Sequence, residues 1–211
     1  MDDAEQVWVT VVGALGLICF SAGAMAAKVP AVDLRTGDAV AELVRRRRAV
    51  LAGSVASITG AALLLWPLAA VASEPDPEVW RSLAVASMAA WVFGFGFLAL
   101  GSLLVIGVVW RGDEGPSNET ARALLDISHL AVWSVSAPIG ALSVLSTTAV
   151  GVQAGLFGAW VVVAAVAKVV TVVVEVAGTG RRHGWNAGGW AYGTSGYATV
   201  TWFALVLLAL A

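Results

Sequence analysis

Four residues with ionisable side chains lie within long apolar stretches of this sequence, where such side chains are uncommon. Asp126 and His129 are three residues apart, and Lys168 and Glu175 are seven apart with Thr171 on the same stripe. Both spacings place the members of a set on one face of a helix. Ionisable side chains inside a membrane span are costly to insert and by default mark a functional site. The residue types predict a proton relay or a binding site for a small solute.

A short turn around residues 150–151 predicts that the two segments are antiparallel neighbours. At a rise of about 1.5 Å per residue, this turn places Asp126 level with Glu175 and Lys168 within about one turn of His129. The sequence therefore predicts a single polar cluster.

The alternative is an ordinary interfacial role for the carboxylates. Asp126 and Glu175 lie close enough to the predicted cytoplasmic surface to pair with Arg122, Arg181 or Arg182. The long stem of the lysine also allows its amino group to reach the headgroups.

One face of the segment that carries Asp126 continues the polar pattern towards the outer surface. Its residues recur every three or four positions, are mostly small or polar, and form the predicted lining of a hydrated path: Trp133, Ser136, Gly140, Ser143 and Thr147. Pro138 removes a backbone donor there and frees a carbonyl.

Cofactor chemistry has few candidate ligands in this chain. The sequence holds two histidines and one cysteine. A haem ligated by His129 and His183 is an open alternative, but His183 follows two arginines in a predicted loop. A zinc site would have only carboxylates as further ligands, and no nucleotide-binding, metalloprotease or nucleophile-elbow motif is present. We expect no metal and no cofactor, and the residues favour a non-enzymatic role over an enzymatic one.

The elements that must position these residues are transmembrane helices, because 59 % of the residues are hydrophobic and only 12 % are charged. Six runs are long enough to cross about 30 Å of hydrocarbon. The sequence predicts one all-α transmembrane domain over residues 1–211, with spans at about 7–27, 49–73, 82–110, 123–149, 152–178 and 191–211.

Basic residues predict the orientation of this bundle. Loops on one side hold ten of them: Lys28, Arg35, Arg45, Arg46, Arg47, Arg48, Arg111, Arg122, Arg181 and Arg182. The opposite set of loops holds Arg81 alone. The positive-inside rule places the first set in the cytoplasm and both termini outside, and we expect the plasma membrane of a prokaryote.

Partners are predicted from helix faces and charge. Glycines at helical spacing favour close helix contacts within a subunit or with a second copy or a membrane partner: Gly13, Gly16, Gly23, Gly94, Gly96, Gly101 and Gly107. The helical pattern from Asp38 to Arg48 predicts that the second span continues into the cytoplasm as one rod. The run Arg45–Arg48 is interpreted as a topology anchor, with contact to anionic lipid or a partner as the alternative. The net charge of −2 gives no reason to expect a nucleic-acid partner.

Two further features complete the expectations. The aromatic, glycine-rich stretch 184–193 is either an interfacial linker or a loop that re-enters the membrane beside a cavity. Trp91, Trp133 and Trp160 are expected to be deep and packed.

Three functions remain open at this stage. The leading hypothesis is a small channel or carrier that uses the cluster; the rivals are a non-catalytic membrane subunit and a haem-carrying electron-transfer subunit. The six spans, the chain length and the outside termini resemble the small amide and urea channels in architecture. That resemblance does not extend to their pore motifs and implies no substrate.

Overall fold

The computed structural model describes residues 3–27, 38–74, 78–110, 116–178 and 194–211. Throughout these ranges the regular structure is helical, as the sequence predicts, and contains no strand. The helices are α1 (Asp3–Ala26), α2 (Asp38–Arg45), α3 (Arg47–Ser73), α4 (Glu78–Val109), α5 (Asn118–His129), α6 (Ala137–Gln153), α7 (Ala159–Gly178) and α8 (Thr194–Leu210).

Four helical stretches are long and apolar enough to cross a membrane. They are α1, α3, α4 and a rod that joins α5 to α6 through a π-helical segment, Leu130–Ser136. The apolar helix α8 is shorter, at 17 residues. A membrane protein with at least these four candidate spans follows from length and composition.

The π-helical segment has a local cause in the sequence. Pro138 lies in the first turn of α6, directly after the segment. A proline inside a helix has no N–H for the carbonyl four residues earlier, and its ring crowds that carbonyl. Widening the preceding turn accommodates both effects and keeps the rod continuous.

Glycines bring α1 and α3 into close contact. A side chain at Gly60 would overlap the backbone nitrogen of Phe20, and one at Gly23 would overlap the backbone of Ser57. Helices in a lipid environment associate through such close approach because burial of apolar surface gives little drive there. Much of the predicted glycine face of α1 is therefore used inside the subunit.

An aromatic core joins α4 to α8. The rings of Trp91 and Trp202 are stacked with centroids 5.7 Å apart. Phe203 packs edge-on against Trp202, with centroids 5.0 Å apart. The expectation that Trp91 is packed in the interior is confirmed, since 2 % of its surface is exposed. Trp160 contradicts the same expectation, because it lies at the start of α7 and is exposed.

The predicted continuous rod from Asp38 to the second span is broken. Helix α2 ends at Arg45, and Arg46 adopts a non-helical conformation before α3 begins. The buried side chain of Leu43 explains the break, because it packs with Val50 and Val109 across the ends of α3 and α4. Helix α2 has an apolar face and a polar face. When α2 lies over these helix ends, its apolar face is buried and its polar face is exposed, whereas a straight extension of α3 would expose both faces to water.

Candidate functional site

Lys168 is the most deeply buried charged residue among those that the structure describes, with 3 % of its surface exposed. Its amino group donates a hydrogen bond to the carbonyl oxygen of Ser195 in the first turn of α8, 3.0 Å away. Thr199 donates to the same carbonyl oxygen over 2.8 Å. A buried ammonium group needs such partners, because an uncompensated charge in an apolar interior is very unfavourable.

Glu175 binds the other backbone group of the same residue. Its Oε1 accepts a hydrogen bond from the amide N–H of Ser195 over 3.0 Å and lies 3.4 Å from the hydroxyl of Thr194. The first amides of a helix have no partner inside the helix, and a carboxylate there is also favoured by the helix dipole. Glu175 therefore stabilises the start of α8.

These contacts define the Ser195 clamp, which consists of Lys168, Glu175, Thr194 and Ser195. Lys168 and Glu175 also interact with each other electrostatically. Thr171, predicted on the same stripe, donates instead to the carbonyl oxygen of Lys168 within α7, at 2.8 Å. The clamp joins two neighbouring helices through two opposite charges and the two backbone polar groups of one residue.

The predicted single cluster is divided in two by the position of a turn. Helix α6 runs on to Gln153, and the chain reverses at Gly155, which has a φ of 75°. The centre of the turn lies about five residues later than predicted. In an antiparallel pair, the numbers of two residues at equal depth sum to twice the centre of the turn, so each α7 residue lies level with a residue about ten positions later than predicted, or about 15 Å along the helix. Accordingly, Val172 packs with Ala137 and Ala141. The predicted depth match of Asp126 with Glu175 is wrong.

Asp126 and His129 form a separate pair near the start of the rod. They interact electrostatically on α5, where Asp126 is exposed and the imidazole is half-buried. Between them, Ser128 is buried and donates to the carbonyl oxygen of Gly101 over 2.8 Å. Helix α7 packs on α6 and α8 rather than along α5. The two predicted pairs exist, but the fold does not bring them together.

The predicted path lining faces helix α4 instead of an open path. Ser136 donates to the carbonyl oxygen of Gly94 over 2.9 Å. Thr147 accepts from the indole nitrogen of Trp91 over 2.9 Å, and its hydroxyl lies 2.6 Å from that of Ser87. Ser143 is fully buried.

Gly140 and Trp133 are the remaining members of that predicted lining. A side chain at Gly140 would have no neighbour within 4 Å. Trp133 belongs to the π-helical segment, and its side chain lies outside the described part.

Several residues of the site were not predicted from the sequence. Serine and threonine commonly begin a helix, so Thr194 and Ser195 were recognisable from the sequence as a helix start but not as partners of Lys168 and Glu175. Thr148 accepts from the indole nitrogen of Trp202 over 3.0 Å, as Thr147 does from Trp91. Only the packing of α4, α6 and α8 reveals these pairs.

Other predictions fall outside the described ranges. They concern the stretch 184–193 and the residues His183, Arg181 and Arg182. The re-entrant loop, the haem pair and the ion pairs with these arginines therefore stay predictions. Among the described residues, no group of three histidine, cysteine or acidic side chains is placed to hold a metal ion.

Comparisons with models of protein families, with curated proteins and with solved structures find no match to this chain.

Proposed function

We propose that this chain is a small carrier, most simply for protons, in which the Ser195 clamp is the charge-bearing site. In this proposal the chain crosses the plasma membrane of a prokaryote six times, with both termini outside. The single observation that carries the proposal is the buried Lys168, held on a backbone carbonyl beside Glu175.

Burial of Lys168 has a cost that a transport role explains. An ammonium group within a span is unfavourable by several kcal/mol in most measurements. An apolar side chain at this position, with a neutral one in place of Glu175, would fill the same space without burying a charge, so packing alone does not account for a lysine. A role that uses its charge does.

A carrier fits the contacts better than an open channel. Ser136 and Thr147 use their hydroxyls in contacts with α4. A permanently hydrated path along this face would require those hydrogen bonds to open. Movement confined to the first turn of α8, in contrast, exchanges the contacts to Ser195 and leaves Trp202 and Phe203 packed on α4.

The chemistry of such a movement follows from the partners. Protonation of Glu175 would remove the negative charge that binds the Ser195 amide and balances Lys168. The start of α8 would then be held less firmly, and release of the proton on the other side would restore the clamp. One proton enters and one leaves in each cycle.

Two observations support the six-span arrangement. The continuous rod of α5 and α6 accounts for one crossing in addition to those of α1, α3 and α4. Helices α7 and α8 pack against each other and against α6 and α1, and both are strongly apolar. With the basic loops on one side, six crossings place both termini outside.

The test is proton flux in liposomes. Purified protein is reconstituted with a trapped pH-sensitive dye, and a potassium diffusion potential drives the flux. We expect proton uptake by the natural protein and no uptake above that of protein-free liposomes for Lys168→Met. The control variant Arg81→Gln, which alters an exposed cation at the far end of α4, should take up protons like the natural protein. Equal flux for Lys168→Met and the natural protein would overturn the proposal.

A second candidate function is a non-catalytic membrane subunit. It is favoured by the free face of α4, where side chains at Gly96 and Gly107 would meet nothing within 4 Å. A second copy or a partner helix is able to approach closely there. Co-purification of a stoichiometric partner, lost in Gly96→Leu, would support this function over the carrier.

A further inference from the structure

Four consecutive arginines lie at the junction of α2 and α3, at the predicted cytoplasmic surface. Arg46 donates to the carbonyl oxygen of Ala26, 3.3 Å away, at the end of α1. Arg47 donates to the carbonyl oxygen of Trp110 at the end of α4. Arg45 pairs with Glu42 within the same short segment, and its side chain is 78 % exposed.

The two backbone contacts have a clear physical cause. The last carbonyls of a helix lack partners within it and carry the negative end of the helix dipole. Guanidinium groups satisfy both requirements at once. They also fix the junction at the level where two helices end, since each arginine is tied to a different helix.

Neighbouring residues indicate that this level is the headgroup layer. Trp110 is 61 % exposed at the end of an apolar helix, a position that amphipathic indole rings favour at the membrane interface. Below the junction, Leu43, Val50 and Val109 form a buried apolar cluster. The arginines are thus placed between an apolar layer and water.

A guanidinium group has five N–H donors, and one contact to a carbonyl leaves others available. Arg47 is exposed despite its bond to Trp110, and the adjacent Arg48 is also exposed. Arg47 and Arg48 are consecutive residues in the first turn of α3, and both long side chains are exposed at headgroup depth. Guanidinium groups on such side chains match the several oxygens of a phosphate ester.

We propose that Arg47 and Arg48, beside Trp110, form a binding site for the phosphate headgroup of an anionic phospholipid. This site is separate from the Ser195 clamp and does not depend on a transport function. The lipid would stabilise the junction of α2 and α3 by compensating cations that are crowded at the ends of α1 and α4.

The proposal is tested by titrating detergent-purified protein with short-chain phosphatidylglycerol and counting bound lipids by native mass spectrometry. Arg48→Gln should bind about fivefold more weakly than the natural protein, the effect of about one interfacial cation. Arg81→Gln, an exposed arginine at the other end of α4, is the matched control and should bind normally. Because Arg47→Gln also removes a helix contact, Arg48→Gln is the decisive variant.

Two further ligands identify the source of the phosphate. Phosphatidylcholine, which has a phosphate but no net charge, should bind much more weakly than phosphatidylglycerol. Inorganic phosphate at the same concentration should not displace the lipid. Unchanged lipid binding by Arg48→Gln, equal binding of the two lipids, or displacement by inorganic phosphate would each overturn the proposed lipid site.

Discussion

The amino group of Lys168 lies 3.0 Å from the carbonyl oxygen of Ser195, so a buried cation on α7 holds the first turn of α8. Glu175 binds the amide of the same serine. Two side chains of opposite charge therefore hold the backbone of one residue, and a change at either side chain should affect the other.

Replacing Lys168 with methionine tests this coupling. The change leaves the Ser195 carbonyl with one donor fewer and Glu175 without its cation. Removing one member of a buried charge pair typically costs about 3–5 kcal/mol. We expect a large loss of thermal stability in detergent. Circular dichroism during heating measures this loss.

The double variant Lys168→Met with Glu175→Gln should recover part of that loss, because it removes the stranded charge as well. Asp126→Asn, at an exposed carboxylate, should change stability by about 0–1 kcal/mol. Small and additive effects of the two clamp substitutions would show that Lys168 and Glu175 do not interact.

Thr147→Val tests the polar contacts inside the aromatic core. The substitution keeps the shape but leaves the indole N–H of Trp91 and the hydroxyl of Ser87 without their shared partner. An unsatisfied buried polar group costs about 1–3 kcal/mol. We expect a lower melting temperature and altered tryptophan fluorescence. The exposed Thr201→Val should change neither, and equal behaviour of the two variants would refute the role of Thr147.

Gly60→Ala tests the close approach of α1 and α3. A methyl group there would overlap the backbone of Phe20, and a helix backbone is unable to turn aside as a side chain does. Overpacking of this kind costs about 1–3 kcal/mol. Gly107→Ala meets open space and should be neutral. Thermal unfolding of both variants decides between tight and loose packing, since a neutral Gly60→Ala is incompatible with this interface.

Cysteine labelling tests the proposed orientation. In a Cys19→Ser background, Asp2→Cys and Asp76→Cys should react with an impermeant maleimide added to intact cells. Asp113→Cys should react only after permeabilisation, because residue 113 belongs to the set of basic loops that the sequence predicts to be cytoplasmic. The reverse pattern would place both termini in the cytoplasm.

Much of the helical architecture was predictable because apolar runs end where charges begin. The predicted span 49–73 corresponds to α3, Arg47–Ser73, and 82–110 corresponds to α4, Glu78–Val109. The count of six spans stays a prediction.

The arrangement of the site was less predictable, because depth matching depends on where a turn lies. The apolar pattern continues through residues 150–151, whereas Gly155 supplies the left-handed conformation that ends α6. The ring of Phe157 packs on Gly151, so that glycine belongs inside the helix. Gly155 follows the last turn of α6, and a glycine in that position would have predicted the correct depth match between α6 and α7. No periodicity in the sequence identifies Ser195 as the partner of Lys168.

The most direct test of the central claim compares two carboxamide variants in the same liposomes. Glu175→Gln removes the carboxylate of the clamp, and Glu78→Gln removes an exposed carboxylate at the start of α4. With equal amounts of folded protein, proton uptake driven by a potassium diffusion potential should fall to the level of protein-free liposomes for Glu175→Gln and remain at that of the natural protein for Glu78→Gln. Full uptake by Glu175→Gln would contradict the account, since protons would then cross without the charge that the clamp provides.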